Sequence, residues 1–450
     1  MAAQGSSTKQ LEQKLGFWDL MGSAVGQIIG AGIMSLLPAA MAVTGRSVVF
    51  SFLIAAIITC CGAIPFIFIS SCVRLRGGSY TQLAVMGGKL LAGTQAITAI
   101  IGNLSLAMYG ISLADYLCSL FGWGPEAVKP IALSVLTIFL LLNLIGVDAF
   151  AKVQNLLVIV LIFSLAMFGA FGIGKVQWGN YFNNADGYFM MAGVMGVCQA
   201  SATLTFATGG GTVVLNFSAE AKNPTRDIPV VIIVSTLSVA VLYGFLSFVA
   251  AGVLPTEQVL GQNLTVVANS ILPYPLYVLF IVGGAGCALA STLNNSLATS
   301  PKPLMQMCDD GWLPQSFAAL NKKKVPWKIQ TMYFVIGTAS CLSGLSVSVL
   351  GNLTLVISGV TGIIIAVGTM KIPKLFPNSW AKSAFHVSQP VLNLFCIIAL
   401  AGSLFSTYMN ASSLSLGLLG FNVVVLVGAF LFGLVRGKKL DIQPTYEELV

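Results

Sequence analysis

This sequence has little charge. Only 8% of its 450 residues are Asp, Glu, Lys or Arg, against roughly 25% in a soluble globular protein. A water-soluble fold is excluded on that ground. Histidine is scarcer still: His386 stands alone, in a loop before the eleventh apolar run. A zinc site would have almost no ligands to draw on, and none of the nine cysteines forms a CxxC pair. Neither a metal nor a cofactor is expected. Sparse acids and one histidine also leave no cluster of side chains for a membrane-embedded enzyme. The net charge of +8 does not point to nucleic acid, because the basic residues lie between apolar runs rather than on one face. No cleavage site follows the first apolar run, which is too long for a signal-peptide core and is expected to stay as a helix.

What the sequence has is apolar length. It is 56% hydrophobic, and stretches of about 20 apolar residues span a bilayer. Twelve occur, at 17–41, 48–72, 88–121, 129–145, 150–174, 189–219, 229–253, 270–300, 327–346, 349–370, 387–407 and 411–436. An even number places both termini on one side. With that side cytoplasmic, only Arg46, Lys129 and Lys175 of the 22 basic residues fall outside, and the other 19 fall inside. A split this uneven obeys the positive-inside rule and supports twelve. The expected organisation is an N-terminal tail (1–15), a ten-helix core (16–370), a final helix pair (371–436) and a C-terminal tail (437–450), with helices 1–5 and 6–10 as inverted halves.

Two runs are interrupted. Gly30-Ala31-Gly32-Ile33 cuts the first, and Thr208-Gly209-Gly210-Gly211 cuts the sixth. Glycine costs about 1 kcal/mol in a helix interior, and unwound backbone survives at membrane depth only where protein or a water-filled cavity satisfies it. Breaks at matching places in two halves point to the substrate site of a secondary transporter. The first break leaves a half-helix whose N–H groups near Ala31, Gly32 and Ile33, with its positive dipole end, suit a carboxylate. Carbonyls freed near Gln27 and Ile28 suit an ammonium group. Those around Phe206 and Ala207, beside the Thr208 hydroxyl, complete that cage. Gly22, Gly26 and Gly30 recur every four residues, as in a close helix contact. Gly32 lies off that seam, so Gly30 to Ile33 read as ligands and Gly22 and Gly26 as packing. A flexible packing kink is the plainer account of Gly209, Gly210 and Gly211, and the match with the first break weighs against it.

Polar residues crowd the third and eighth runs, and such groups commonly glue helices together. Asn103 and Asn295 are taken as substrate contacts, and Ser291 and Thr292 as a candidate ion site. Asp115, near the outer end of the third run, reads either as a substrate or gate contact or as an interfacial charge. Glu220 and Arg226 lie beside the inner mouth, where ion pairs would hold a gate closed. Topology and helix capping explain them nearly as well.

Several ordered motifs accompany these features. Gly16-Phe17-Trp18-Asp19 precedes Gly30-Ala31-Gly32-Ile33, and Arg76-Gly77-Gly78-Ser79-Tyr80 follows the second run. Asn143-Leu144-Ile145-Gly146-Val147 and Ala151-Lys152-Val153-Gln154-Asn155 mark the junction of runs four and five. Glu220-Ala221-Lys222-Asn223-Pro224-Thr225-Arg226-Asp227-Ile228-Pro229 follows run six, and Asp310-Gly311-Trp312-Leu313-Pro314 follows run eight. Together they resemble the amino acid permeases of the amino acid–polyamine–organocation (APC) superfamily, from about residue 16 to residue 314. The resemblance implies an all-α integral membrane fold of twelve transmembrane helices. It would be a five-plus-five inverted repeat with discontinuous helices 1 and 6, plus two appended helices, moving amino acids or related amines by alternating access. Three positions depart from the family's pattern. Gly211 stands where many members carry an aromatic residue. Leu161 stands where some carry a lysine linked to proton movement. Pro301-Lys302-Pro303 replaces an arginine.

The expectation is a permease for neutral amino acids, bulky ones included given Gly211, working as an exchanger or facilitator. A neutral substrate follows from the scarcity of charge at midplane, where unpaired charge is costly. A sodium- or proton-coupled symporter is the second reading, and a non-transporting amino acid receptor on the same scaffold the third. The expected partners are a small amino acid substrate and the lipid bilayer, with no nucleic acid. The particular amino acid, the coupling ion, the direction of flux and the oligomeric state are not legible. Short polar ends favour a bacterial inner membrane, with both termini cytoplasmic.

Overall fold

Glycine, proline and a few acids set where the helices start and stop. Asp19 opens Phe17–Ile28, accepting the Gly16 N–H at 3.0 Å. Pro224 starts Pro224–Gly252 from the first helical turn, where its missing N–H costs nothing. The third run is longer than expected, because helix already begins at Ser79. Gly88, at φ 65°, interrupts it where the apolar run was expected to start.

The computed structural model describes residues 7–30, 32–179, 181–183, 185–442 and 445–448, and each of the twelve apolar runs carries helix. Among the described residues nine helices are long and apolar enough to cross a membrane. The number is ten if the bent pair Phe17–Met34 and Leu37–Thr44 is one span. The sixth and ninth runs fall outside that number because Gly193–Thr208 and Trp327–Leu342 have 16 residues each, short of the roughly 20 a span needs. In the sixth run the shortfall is the break itself.

Burial grades these helices from centre to rim. Tyr274–Asp309 buries 61% of its most apolar stretch, while Gln389–Ser412 and Leu416–Gly437 bury 17% each. The eighth run is therefore a central post. The last pair lies outside, presenting Leu394, Ile397, Val424 and Val427 outward. An exposed apolar face of that extent belongs against lipid.

The two ends of the bundle are tied differently. At one end Val73–Leu75 pairs antiparallel with Tyr446–Glu448. There Arg76 donates to Glu447 at 2.9 Å and to the Thr8 carbonyl at 3.4 Å, joining both tails to one loop. Burial pulls the Arg74 guanidinium below its usual range, and Glu447 beside it acts against that pull. At the other end Arg46, itself buried, donates to Asp186 at 2.6 Å and to the Tyr181 carbonyl at 2.9 Å. These bonds from Arg46 hold the Asp186 carboxyl below the usual carboxylate range.

Candidate functional site at the crossing of two broken helices

Phe17–Ile28 stops at Ile29, whose backbone is extended (φ −84°, ψ 91°). The chain resumes as the π-turn Gly32–Leu36 and continues as Leu37–Thr44. Ala31 lies outside the described residues. Carbonyls around the break are met by side chains from other helices. Tyr243 donates to the Ile28 carbonyl at 3.0 Å, and Tyr116 donates to that of Met34 at 2.7 Å. Thr292 donates to Gly26 O at 2.8 Å and lies 3.5 Å from Ile29 O, while Ser291 reaches Gly26 O at 3.2 Å. The Ile28 carbonyl expected to receive an ammonium group is thus already engaged, with one lone pair left.

The second break uses its own backbone. Gly193–Thr208 ends at Gly209, Gly210 turns to φ 117°, and Gly211–Phe217 continues as a 3-10 helix. That φ is one an L side chain rarely adopts, and a Cβ on Gly210 would lie 3.0 Å from Gln27 Cγ. A Cβ on Gly32 would lie 2.3 Å from Ala207 Cα. The two breaks therefore cross in contact, Gly32 on Ala207 and Gly210 on Gln27.

A cavity of about 260 Å³ sits at the crossing. Gln27, Ile28, Gly30 and Gly32 line it from the first break, and Phe206, Gly209 and Gly210 from the second. Other expected residues do not line it. Ile33 and Ala207 are fully buried. Thr208 pairs with the Thr59 hydroxyl at 2.7 Å, and Asn103 turns back to the Ala99 carbonyl at 2.8 Å. Gly211 faces Thr236 and Ser235 on Pro224–Gly252, at 3.0 and 3.1 Å from where its Cβ would be. Thr212 lines the cavity after the break, so the room inferred from Gly211 does not come from that residue. Asn295 stands behind the wall and fixes Gln27, donating to its Oε1 at 2.8 Å while accepting from Ser23 at 2.6 Å. Asp115 is exposed.

Sequence reasoning missed the tenth run's share. Thr354, Leu355 and Ser358 line the cavity, as do Tyr109, Thr205 and Thr292. Thr354 and Ser358 stand four residues apart on one helix face. That spacing of hydroxyls in an apolar run was the available signal.

Beyond the cavity, polar side chains knit the central post to its neighbours. Asn143 donates to Asn294 and Asn294 to Gln154, both at 2.9 Å. Glu220 does not meet Arg226, which is exposed. Its partner is Lys302, at 2.7 Å, with side chains 3% and 7% exposed. Removing one partner of such a buried pair costs about 3–5 kcal/mol. The Leu15 N–H donates to the Glu220 carbonyl at 3.0 Å, and Lys222 N–H to Leu15 O at 2.9 Å. These bonds join the start of the first helix to the end of the sixth run. Among the described residues no group of three His, Cys, Asp or Glu could hold a metal ion.

Comparison with known proteins gives the following matches. A family model described as amino acid permease matches residues 15–435. The chain is 29% identical over 366 residues to the branched-chain amino acid permease BcaP of Bacillus subtilis, covering 76% of this chain and 77% of that one. It is 28% identical to the methylthioribose transporter of the same organism, covering 72% of this chain and 73% of the relative. To the vacuolar cationic amino acid transporter 4 of Arabidopsis thaliana it is 27% identical, over 73% of this chain but only 58% of the plant protein.

Proposed function

Because the chain belongs to the amino acid permease family, a family of APC-superfamily membrane transporters rather than enzymes, we propose that it moves neutral amino acids by alternating access. The observation that carries this reading is the cavity where the two broken helices cross, walled by backbone from both. The half-helix that begins at Gly32 directs its positive end and free N–H groups toward a carboxylate. The Gln27 carbonyl and those before Gly209 receive the ammonium group. Among the described residues none that lines the cavity is charged, so a cationic or anionic side chain would enter without a counter-charge. An uncharged substrate fits this wall better than the cationic class named for the plant relative.

The remaining architecture follows the same reading. Twelve spans form two inverted five-helix halves and an outer pair, with both termini on the cytoplasmic side of a bacterial inner membrane. Glu220–Lys302 and the Leu15–Glu220 backbone bond close the inner mouth. Arg46–Asp186 closes the outer one. Exchange or facilitated flux is favoured because Leu161, buried and apolar on Val147–Ile173, offers no ionisable group. A sodium-coupled reading has one observation behind it. The hydroxyls of Ser291 and Thr292 converge with the carbonyls of Gly26, Ile29 and Ala288, at 2.8 to 3.5 Å.

A thermal-shift screen of the detergent-purified protein against the twenty amino acids tests binding, since a ligand of the folded state raises stability by mass action. Selective stabilisation by neutral amino acids, absent in Gly32→Trp, is expected. Stabilisation without flux in proteoliposomes would instead identify a receptor. Efflux of labelled substrate that ignores external amino acid would exclude exchange, and efflux driven by a sodium gradient would establish the symport reading.

A further inference from the structure

We infer that the preferred substrate's side chain ends in an uncharged hydrogen-bonding group, a carboxamide or a hydroxyl, read in a second cavity beside the crossing of the breaks. The inference rests on the amino acid reading above and narrows it.

The second cavity, of about 480 Å³, shares Gln27, Thr205, Gly210, Thr212, Leu355 and Ser358 with the first. It reaches away between Val48–Ser70, Ser79–Ile101, Val347–Thr369 and Gln389–Ser412. Among the described residues its lining carries no charge, yet Gln95, Thr98, Thr205, Asn216, Ser358 and Ser403 belong to it. Polar groups of this density around a void that runs from the crossing toward the end of the bundle at Ser79 call for a polar occupant, water or substrate.

Their bonding indicates which substrate. Thr205 donates to the Ala202 carbonyl at 2.6 Å, and Thr361 to the Ile357 carbonyl at 3.2 Å. Both hydroxyls spend their protons on their own helices; Thr361 presents its oxygen lone pairs as acceptors, and Thr205, with the Ser406 hydroxyl 3.3 Å away, keeps one. The two amides differ. The single Thr98 proton is shared between Gln95 Oε1 at 3.1 Å and the Thr94 carbonyl at 3.2 Å, whereas Asn216 Oδ1 accepts the Ser79 N–H at 3.0 Å. Each amide offers its NH₂ as a donor and keeps at least one oxygen lone pair as an acceptor. A wall of uncharged donors and acceptors fits a group that both accepts and donates. A wall built to hydrogen-bond rejects an apolar isostere, which would leave its polar groups unpaired.

The test compares L-glutamine, L-leucine, L-lysine and methylthioribose as ligands of the purified full-length protein, by thermal shift and by competition for uptake in proteoliposomes. Glutamine is expected to bind at least about tenfold tighter than leucine, a difference of about 1.4 kcal/mol. Gln95→Leu should lower the glutamine-to-leucine affinity ratio about tenfold. Ser403→Ala, a smaller change on another helix, should lower it several-fold and serves if Gln95→Leu does not fold. Leucine binding as tightly as glutamine, or variants that weaken both ligands equally, would overturn the inference while leaving the amino acid reading intact. Binding of methylthioribose with no response to any amino acid would overturn both.

Discussion

The two breaks look alike in sequence and open the same cavity, yet they are held open by opposite means. At the first, the backbone leaves the helix and its carbonyls are taken by side chains from elsewhere: Tyr243, Tyr116, Ser291 and Thr292. At the second, Gly210 supplies the conformation from within, at φ 117°, after an extended Gly209. Glycine at the first break serves approach, because Cβ atoms on Gly26 and Gly30 would fall 2.1 Å from Gln154 Nε2 and 2.0 Å from Thr292 Oγ1. Glycine at the second serves shape. An externally braced break keeps its form only while its neighbours keep their places, whereas a self-formed one travels with its helix. On the proposed alternating-access cycle, the first break is then the part expected to respond to motion of the surrounding helices.

The largest effect is expected where the breaks touch. Gly32→Val sets a branched side chain against the backbone of Ala207, with the Cβ alone 2.3 Å from its Cα. Backbone cannot rotate away, so the helices must separate. Overpacking of this kind costs about 1–3 kcal/mol or more, and both uptake and ligand-induced stabilisation should be lost. Retained uptake at wild-type rate would mean that the breaks are not in contact during transport.

Gly210→Ala comes next and tests the self-formed break. It combines a left-handed backbone, costing about 1–2 kcal/mol for an L residue, with a contact of 3.0 Å on Gln27 Cγ. A lower melting temperature with weakened amino acid binding is the expected result. Tyr243→Phe tests the braced break. It removes the donor to Ile28 O, and a buried group left unpaired costs about 1–3 kcal/mol. Hydrogen exchange should then rise around residues 26–34 and stay unchanged around 205–212. Equal loosening of both breaks would mean that the two are braced alike.

Much of this was legible in the sequence. The apolar runs, both breaks and the seam of Gly22, Gly26 and Gly30 follow from composition and spacing, which act locally. Partner choice was not. Glu220 and Arg226 were both expected at an inner gate, with no partner named for either; in the fold Arg226 is exposed, and Glu220 forms a buried pair with Lys302 from the eighth run. Asn103 looked like a substrate contact, but its amide bonds one turn back along its own helix. Polar residues at membrane depth look the same whether they face a void, a helix or their own backbone, because only packing orients them. The tenth run was overlooked because its hydroxyls are scattered among glycines and carry no charge.

The smallest effect expected is also the sharpest test of that lesson, and it concerns Gly211. Read from sequence, this residue left room for bulk above the substrate. In the fold it faces Ser235 and Thr236, and the space beside the break belongs to Thr212. Gly211 does not have positive φ, so alanine is conformationally allowed. A Cβ there would meet two hydroxyl oxygens at 3.0 and 3.1 Å, and small rotations of Thr236 and Ser235 can accommodate it. Gly211→Ala should therefore change the relative affinities for small and large amino acids by less than about twofold, a few tenths of a kcal/mol. Thr212→Val, isosteric but without the hydroxyl, should change them more. If the order were reversed, the second break would be turned about its axis relative to the cavity. The self-formed break would then supply the gate, and the braced one would be scaffold.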